Sequence, residues 1–227
     1  MINFENIKVA FADKSDKDLS RAYLLFKTIS NPIISNTLTA FIKVAMWLHL
    51  PISWAIKATV YKHFCGGTTI ENSQATIDKL WESHIGTILD FSAEGKENEE
   101  DFNLAMNETI ASIQKAKSES SIPFSVFKPT GLARFALLEK INNNSNLTKE
   151  EEIEKTIFEG RIENICQTAS DNKVPLFIDA EESWIQDAID DIAIKMMKKF
   201  NKNKAWIFNT LQLYRYDRVD YLEMLVK

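Results

Sequence analysis

Val174-Pro-Leu-Phe-Ile-Asp179 is a short apolar run that ends on a carboxylate. Three other segments repeat its pattern: Thr87-Ile-Leu-Asp90, Phe124-Ser-Val-Phe-Lys128 and Ala205-Trp-Ile-Phe-Asn209. A stretch with helical periodicity follows each one. Alternating strands and helices predict a parallel sheet. Right-handed crossovers join successive parallel strands, so neighbouring units should lie side by side in chain order. In a (β/α)8 barrel the side chains at the C-terminal strand ends are where chemistry sits. The reading therefore brings Asp90, Lys128, Asp179 and Asn209 to one mouth. A small open doubly wound sheet is the alternative. Against it, no Gly-rich turn follows the first strand, and a polar residue at every strand end suits a barrel mouth better. The expected fold is α/β: a partial (β/α)8 TIM-type barrel, its first four β/α units, over residues 86–227. An N-terminal helical region over residues 1–85 precedes it.

Capping signals delimit the helices. Ser15-Asp-Lys-Asp18 and Thr148-Lys-Glu-Glu151 resemble capping boxes. Asn31-Pro32 ends the first helix, and a second is expected from Ile33 to His49, before Pro51. Gly66-Gly67 marks a break, and a further helix is expected from Thr69 to Gly86. Between the strands the crossover helices are expected over about 98–118, 131–170 (interrupted at Asn142-Asn-Asn-Asn-Ser-Asn146), 183–200 and from Asp217 onward. Their apolar stripes are Phe102, Ala105, Ile110, Ile113 and Ala116, then Trp184, Ala188, Ile192 and Met196, then Val219, Leu222 and Leu225.

Composition narrows the function classes. The chain has 227 residues, 45% hydrophobic and 26% charged, as in an ordinary globular domain. A net charge of −5 with no basic stripe gives no footprint for nucleic acid. Two cysteines, Cys65 and Cys166, make no disulfide framework. Met1-Ile-Asn-Phe-Glu-Asn reads as no secretory leader, so a cytoplasmic location is expected. Lys43, His49, Pro51 and Lys57 interrupt the most apolar segment, Leu38 to Val60. It therefore reads as helices packed on the sheet, or as a surface making peripheral contact with the inner membrane, rather than a span. Met46, Trp47 and Trp54 in it read as core or docking surface.

The chemistry should lie at the strand ends. Asp90 and Glu94 put two carboxylates at and just beyond strand one. Lys128 ends strand two, and Pro129 keeps it extended. Asp179-Ala-Glu-Glu182 sets three carboxylates after strand three, where Glu181 and Glu182 are expected to cap the next helix. Strand four continues as Asn209-Thr-Leu-Gln212-Leu-Tyr-Arg215. A pocket of both signs suits a small zwitterion, or a cofactor beside a polar substrate. Carboxylates at barrel strand ends also permit magnesium, but Lys128 among them counts against it, and no metal is expected. Motifs of a Ser nucleophile elbow, a P-loop and a CxxC pair are absent.

Leu89-Asp-Phe-Ser-Ala-Glu-Gly-Lys96, Phe127-Lys-Pro-Thr-Gly-Leu-Ala133, Ile178-Asp-Ala-Glu-Glu-Ser-Trp-Ile-Gln-Asp187 and Phe208-Asn-Thr-Leu-Gln-Leu-Tyr-Arg215 resemble proline dehydrogenases. The likeness covers nearly the whole chain, but the first half of that family's length. It implies a barrel holding FAD, oxidation of L-proline to pyrroline-5-carboxylate, and electrons passed to a quinone. By this likeness Lys128 faces the proline carboxylate and Asp179 is the active-site acid. Asp90 and Glu94 order the pocket, and Ala180 lies against the flavin. The flavin-contacting amide of strand four is either Asn209 or Gln212. Phe91 and Leu211 stand where the family often has tyrosine. Strands five to eight, with the family's flavin-binding arginine and its closing Arg-Arg-x-x-Glu segment, have no counterpart. The chain alone is therefore expected to lack activity and to self-associate through exposed sheet edges. The alternatives are a metal-dependent, carboxylate-lined barrel enzyme and an inactive barrel remnant acting as an interaction module.

Overall fold

The computed structural model describes residues 5–91 and 95–226. Its contacts divide the chain into two units, Met1–His84 and Ile85–Lys227. The first is helical: α1 (Ile7–Ala10), α2 (Asp16–Ile29), α3 (Pro32–Trp47), α4 (Ser53–Ile56), α5 (Lys62–Phe64) and α6 (Gln74–Glu82). Ser15 Oγ accepts from the Asp18 amide at 3.2 Å and so caps α2. Asn31 Oδ1 caps α3 by accepting from Ile33 and Ile34, with Pro32 opening the helix. Phe26, His63 and Phe64 meet edge to face. At Gly67 a Cβ would lie 2.5 Å from Ser73 Oγ and 2.6 Å from its amide, so no side chain fits there. Met46, Trp47 and Trp54 are all exposed, which removes the core reading of that group.

In the second unit β1 (Ile88–Leu89), β2 (Phe124–Phe127), β3 (Leu176–Ile178) and β4 (Ile207–Asn209) pair in parallel, in the order β1-β2-β3-β4. This is the order expected from the strand–helix alternation. The regular ladders are shorter than the apolar runs. Pairing continues beyond them in isolated bonds, Thr87 N to Ser121 O, Ser125 N to Pro175 O and Leu176 N to Trp206 O. Side chains alternate across the sheet. Ser125, Phe127, Leu176, Ile178 and Ile207 are buried. Phe124, Phe177 and Phe208 share the opposite face: Phe124 and Phe177 stack at 4.6 Å, and Phe208 meets Phe177 edge-on at 5.8 Å.

Helices α7 (Glu99–Ser118), α8 (Phe135–Asn142), α9 (Lys149–Asn172), α10 (Gln186–Phe200) and α11 (Arg218–Val226) complete the unit. The capping box at Thr148 and Glu151 forms in full, satisfying two otherwise orphaned amides. Ile113, Leu137, Leu138, Ile162, Ile165, Ile189 and Met196 are fully buried among these helices and the sheet.

Three helical expectations need correction. Ile110 is only half-buried, because the inward face of α7 runs through Thr109 and Ser112 instead. Trp184 is 55% exposed and precedes α10, whose start is delayed by the turn leaving β3. It lies edge-on to Phe135 at 6.4 Å. On α11, Val219, Leu222 and Leu225 are exposed, and the buried residue is Arg218. The reason is electrostatic: Arg218 reaches a buried acid on α10, and that pairing sets which side of the helix turns inward.

Candidate active site

Asp179 and Lys128 follow directly on β3 and β2. The Asp179 amide donates to Phe127 O at 3.0 Å, so the β3 rim is tied to β2 by main chain. Lys128 is extended, with φ −103° and ψ 124°, and a short 3-10 turn over Pro129–Gly131 follows. These two backbones bring Lys128 Nζ to 2.8 Å from Asp179 Oδ2, with both side chains partly exposed. Asp179 Oδ1 accepts from the Ala180 amide at 3.1 Å and lies 3.2 Å from Thr210 Oγ1.

Glu181 does not cap α10. Its carboxylate accepts from the Thr130 amide at 2.9 Å and from the Thr130 hydroxyl, joining the turn after β2 to the loop after β3. Burial raises the pKa of this carboxyl above the ordinary carboxylate value, although the Thr130 bonds pull the other way. The task assigned to it falls to Asn142, at the end of α8, whose Oδ1 accepts from the Asp187 and Ala188 amides at 2.9 and 3.2 Å.

The two strand-four amides behave differently. Gln212 Nε2 donates to Glu181 O at 2.9 Å and to Ala180 O at 3.4 Å, which fastens it to the β3 rim. Its Oε1 accepts no hydrogen bond among the described residues. Asn209 Nδ2 donates to Asp190 Oδ1 at 2.9 Å and lies 3.5 Å from the Tyr221 hydroxyl, while its Oδ1 accepts from the Thr210 amide at 3.0 Å. Asp90 follows β1 at the same end of the parallel sheet and is exposed. Glu94 lies outside the described residues.

Sequence reasoning missed the network behind the rim. The Glu181 amide donates to Gln186 Oε1 at 2.7 Å, and Gln186 Nε2 donates to Asp190 Oδ1 at 2.8 Å. Arg218 Nη1 donates to Asp190 Oδ2 at 2.6 Å. Gln186, Asp190 and Arg218 are 1%, 3% and 4% exposed. Arg218 also pairs with Asp217, which Arg215 holds with two further bonds. Hydrogen bonds from Arg218 and Arg215 hold the Asp217 carboxyl well below the usual range. Burial, with the Asp190 charge, pushes the Tyr221 phenol up to about 12. One sequence signal was available: Gln186 and Asp190 sit four apart, with Asp190 directly beside the inward residue Ile189. A carboxylate on a buried helix face needs a partner.

Among the described residues, no three His, Cys, Asp or Glu side chains converge as a metal-binding group, and no helix is long and apolar enough to cross a membrane.

The family model for proline dehydrogenase matches residues 73–227. The chain is 31% identical to the carbapenem antibiotics biosynthesis protein CarD of Pectobacterium carotovorum subsp. carotovorum, covering 70% of this chain and 43% of that one. It is 27% identical to the mitochondrial proline dehydrogenase 1 of Dictyostelium discoideum, over 94% of this chain and 44% of that one. The chain thus spans less than half the length of these curated relatives. In three dimensions it resembles proline utilization A (PutA) from Bdellovibrio bacteriovorus, a crystal structure of the protein inactivated by N-propargylglycine. The TM-score is 0.62 and the identity 13%, over 98% of this chain and 24% of that one, a likeness of fold.

Proposed function

The chain belongs to the proline dehydrogenase family, and from that premise we propose that the rim of Lys128, Asp179 and Gln212 serves the FAD-dependent oxidation of L-proline to pyrroline-5-carboxylate. The observation that carries the reading is the Lys128–Asp179 pair at 2.8 Å, at the C-terminal ends of adjacent parallel strands. A cation and an anion side by side match a small zwitterionic amino acid. Lys128 binds the substrate carboxylate. Asp179 orients the lysine and stands beside the substrate amine as the active-site acid. Asp90 and Glu94 order the pocket.

The rim suits a flavin ring. Gln212 is anchored through its Nε2 while its Oε1 remains an acceptor, and Ala180 offers a small side chain. The reading gives the flavin contact to Gln212 and Ala180, because Asn209 is committed to Asp190, Tyr221 and Thr210. FAD, when bound, supplies the acceptor for the hydride leaving the carbon next to the proline nitrogen. A quinone-type acceptor takes the electrons onward, which suits a cytoplasmic protein in peripheral contact with a membrane.

The test is anaerobic. L-proline added to a flavin-loaded, full-length enzyme that carries this chain should bleach the visible flavin absorbance, and D-proline should not; the 227-residue chain by itself is expected to be inactive. Protein that takes up flavin but shows the same spectrum with either enantiomer would refute the assignment.

A further inference from the structure

Thr210 stands directly after β4, and its hydroxyl lies at a junction of three groups. Oγ1 is 2.6 Å from the Ala180 amide nitrogen, 3.2 Å from Asp179 Oδ1 and 3.4 Å from Ile178 O. A hydroxyl has one proton to give and two lone pairs. The amide donates into one lone pair. Of the two remaining neighbours, the carboxylate oxygen is the nearer and carries charge, so it takes the hydroxyl proton. Both Asp179 oxygens are then assigned: Oδ2 to Lys128 Nζ, and Oδ1 to the Ala180 amide and the Thr210 hydroxyl.

We propose that Thr210 is a positioning residue of this site: its hydroxyl fixes the plane of the Asp179 carboxylate and the direction of the Ala180 amide. The inference rests on the function proposed above and deepens it. Terminal carboxylate rotation is soft, and without the Thr210 hydroxyl Oδ1 would keep the Ala180 amide, whose direction that same hydroxyl sets. With Oδ1 held, Oδ2 offers the lysine one direction. Thr210 can do this because it is itself held. Its β-branched side chain has few rotamers, and its amide donates to Asn209, which Asp190 grips from behind. The hydroxyl thus couples the ends of β3 and β4 at the point where both present side chains to the rim.

Thr210→Val keeps the shape and removes the hydroxyl, whereas Thr210→Ser keeps the hydroxyl and removes the methyl. Both variants are made in a flavin-loaded, full-length enzyme that carries this chain. Two quantities are read: kinetics with L-proline, and hydrogen exchange at the Ala180 amide, followed by mass spectrometry with fragmentation. The valine variant should raise KM or lower kcat for L-proline by roughly ten- to a hundredfold, the loss of one charge-assisted bond. Its Ala180 amide should exchange faster, with the thermal midpoint and the exchange of α10 unchanged. Serine should recover most of both. Valine matching the parent in rate and exchange overturns the proposal, as does serine failing in the same way as valine. If the parent protein does not react with proline at all, the function reading falls, and the exchange comparison still decides the role of Thr210.

Discussion

Replacing Asp190 with asparagine isolates what holds the rim from behind. The carboxylate accepts from Gln186 and Asn209 on Oδ1 and from Arg218 on Oδ2, at 2.8, 2.9 and 2.6 Å, and it is 3% exposed. Asparagine has the same shape but one acceptor atom. With its oxygen toward Gln186 and Asn209, its NH2 faces the guanidinium, donor against donor. Turned over, it faces two amide donors. Losing a charge-assisted bond costs about 1.5–3 kcal/mol, and breaking a buried ion pair from one side costs about 3–5 kcal/mol. Arg218 keeps Asp217 on Nη2, so the lower part of that range applies. The expected loss is about 2–4 kcal/mol, or a fall in melting temperature of roughly 6–12 °C for a unit of this size. Thermal and urea melts of Asp190→Asn, Arg218→Met and the double variant form the assay. The double variant should be less destabilised than the sum of the singles, since it leaves no orphaned charge. If Asp190→Asn melts within about 0.5 kcal/mol of the parent, the usual spread for an inconsequential surface change, this account of the network is wrong.

In a flavin-loaded, full-length enzyme that carries this chain, Lys128→Met should weaken proline binding more than flavin binding, by on the order of a few kcal/mol, because the substrate carboxylate is left unpaired. Unchanged KM and kcat would take Lys128 out of the site. Glu181 titrates above the ordinary carboxylate value in the fold. Its contribution to stability is therefore present below that ordinary value and lost as pH rises through the raised one. Urea midpoints taken in steps upward from about pH 4 should fall in the parent relative to Glu181→Gln, and parallel curves would contradict the assignment. Asp217 has the opposite sign: its depressed pKa gives stability above the ordinary carboxylate value that is lost as acid is added through the lower one, a loss that Asp217→Asn should abolish. Burial pushes the Cys166 thiol up, whereas Cys65 is exposed. A thiol reagent should modify Cys65 in the native protein and reach Cys166 only on unfolding; two equally fast thiols would count against the packing of α9.

The four apolar runs ending on Asp90, Lys128, Asp179 and Asn209, together with the capping box at Thr148, made the parallel order and the long α9 legible in the sequence. Strand alternation, helix periodicity and caps act over a few residues, so their signal is written locally. The same locality explains the misses. An apolar stripe of Val219, Leu222 and Leu225 was a fair reading of α11 by periodicity, yet Arg218 turned inward because a buried carboxylate waits 28 residues earlier, on α10. Glu181 looked like a helix cap, but it bonds Thr130, 51 residues away. Trp184 followed the helical period on paper and lies before the helix begins. Thr210 gave no sign, since a hydroxyl acquires its role only from what faces it across the β3–β4 register. Local backbone preference and residue pattern determined the elements, their order and the kinds of group at the strand ends. Which polar atoms meet was decided by tertiary structure, because a buried donor or acceptor must be satisfied by whatever the strand register and helix packing bring within about 3 Å.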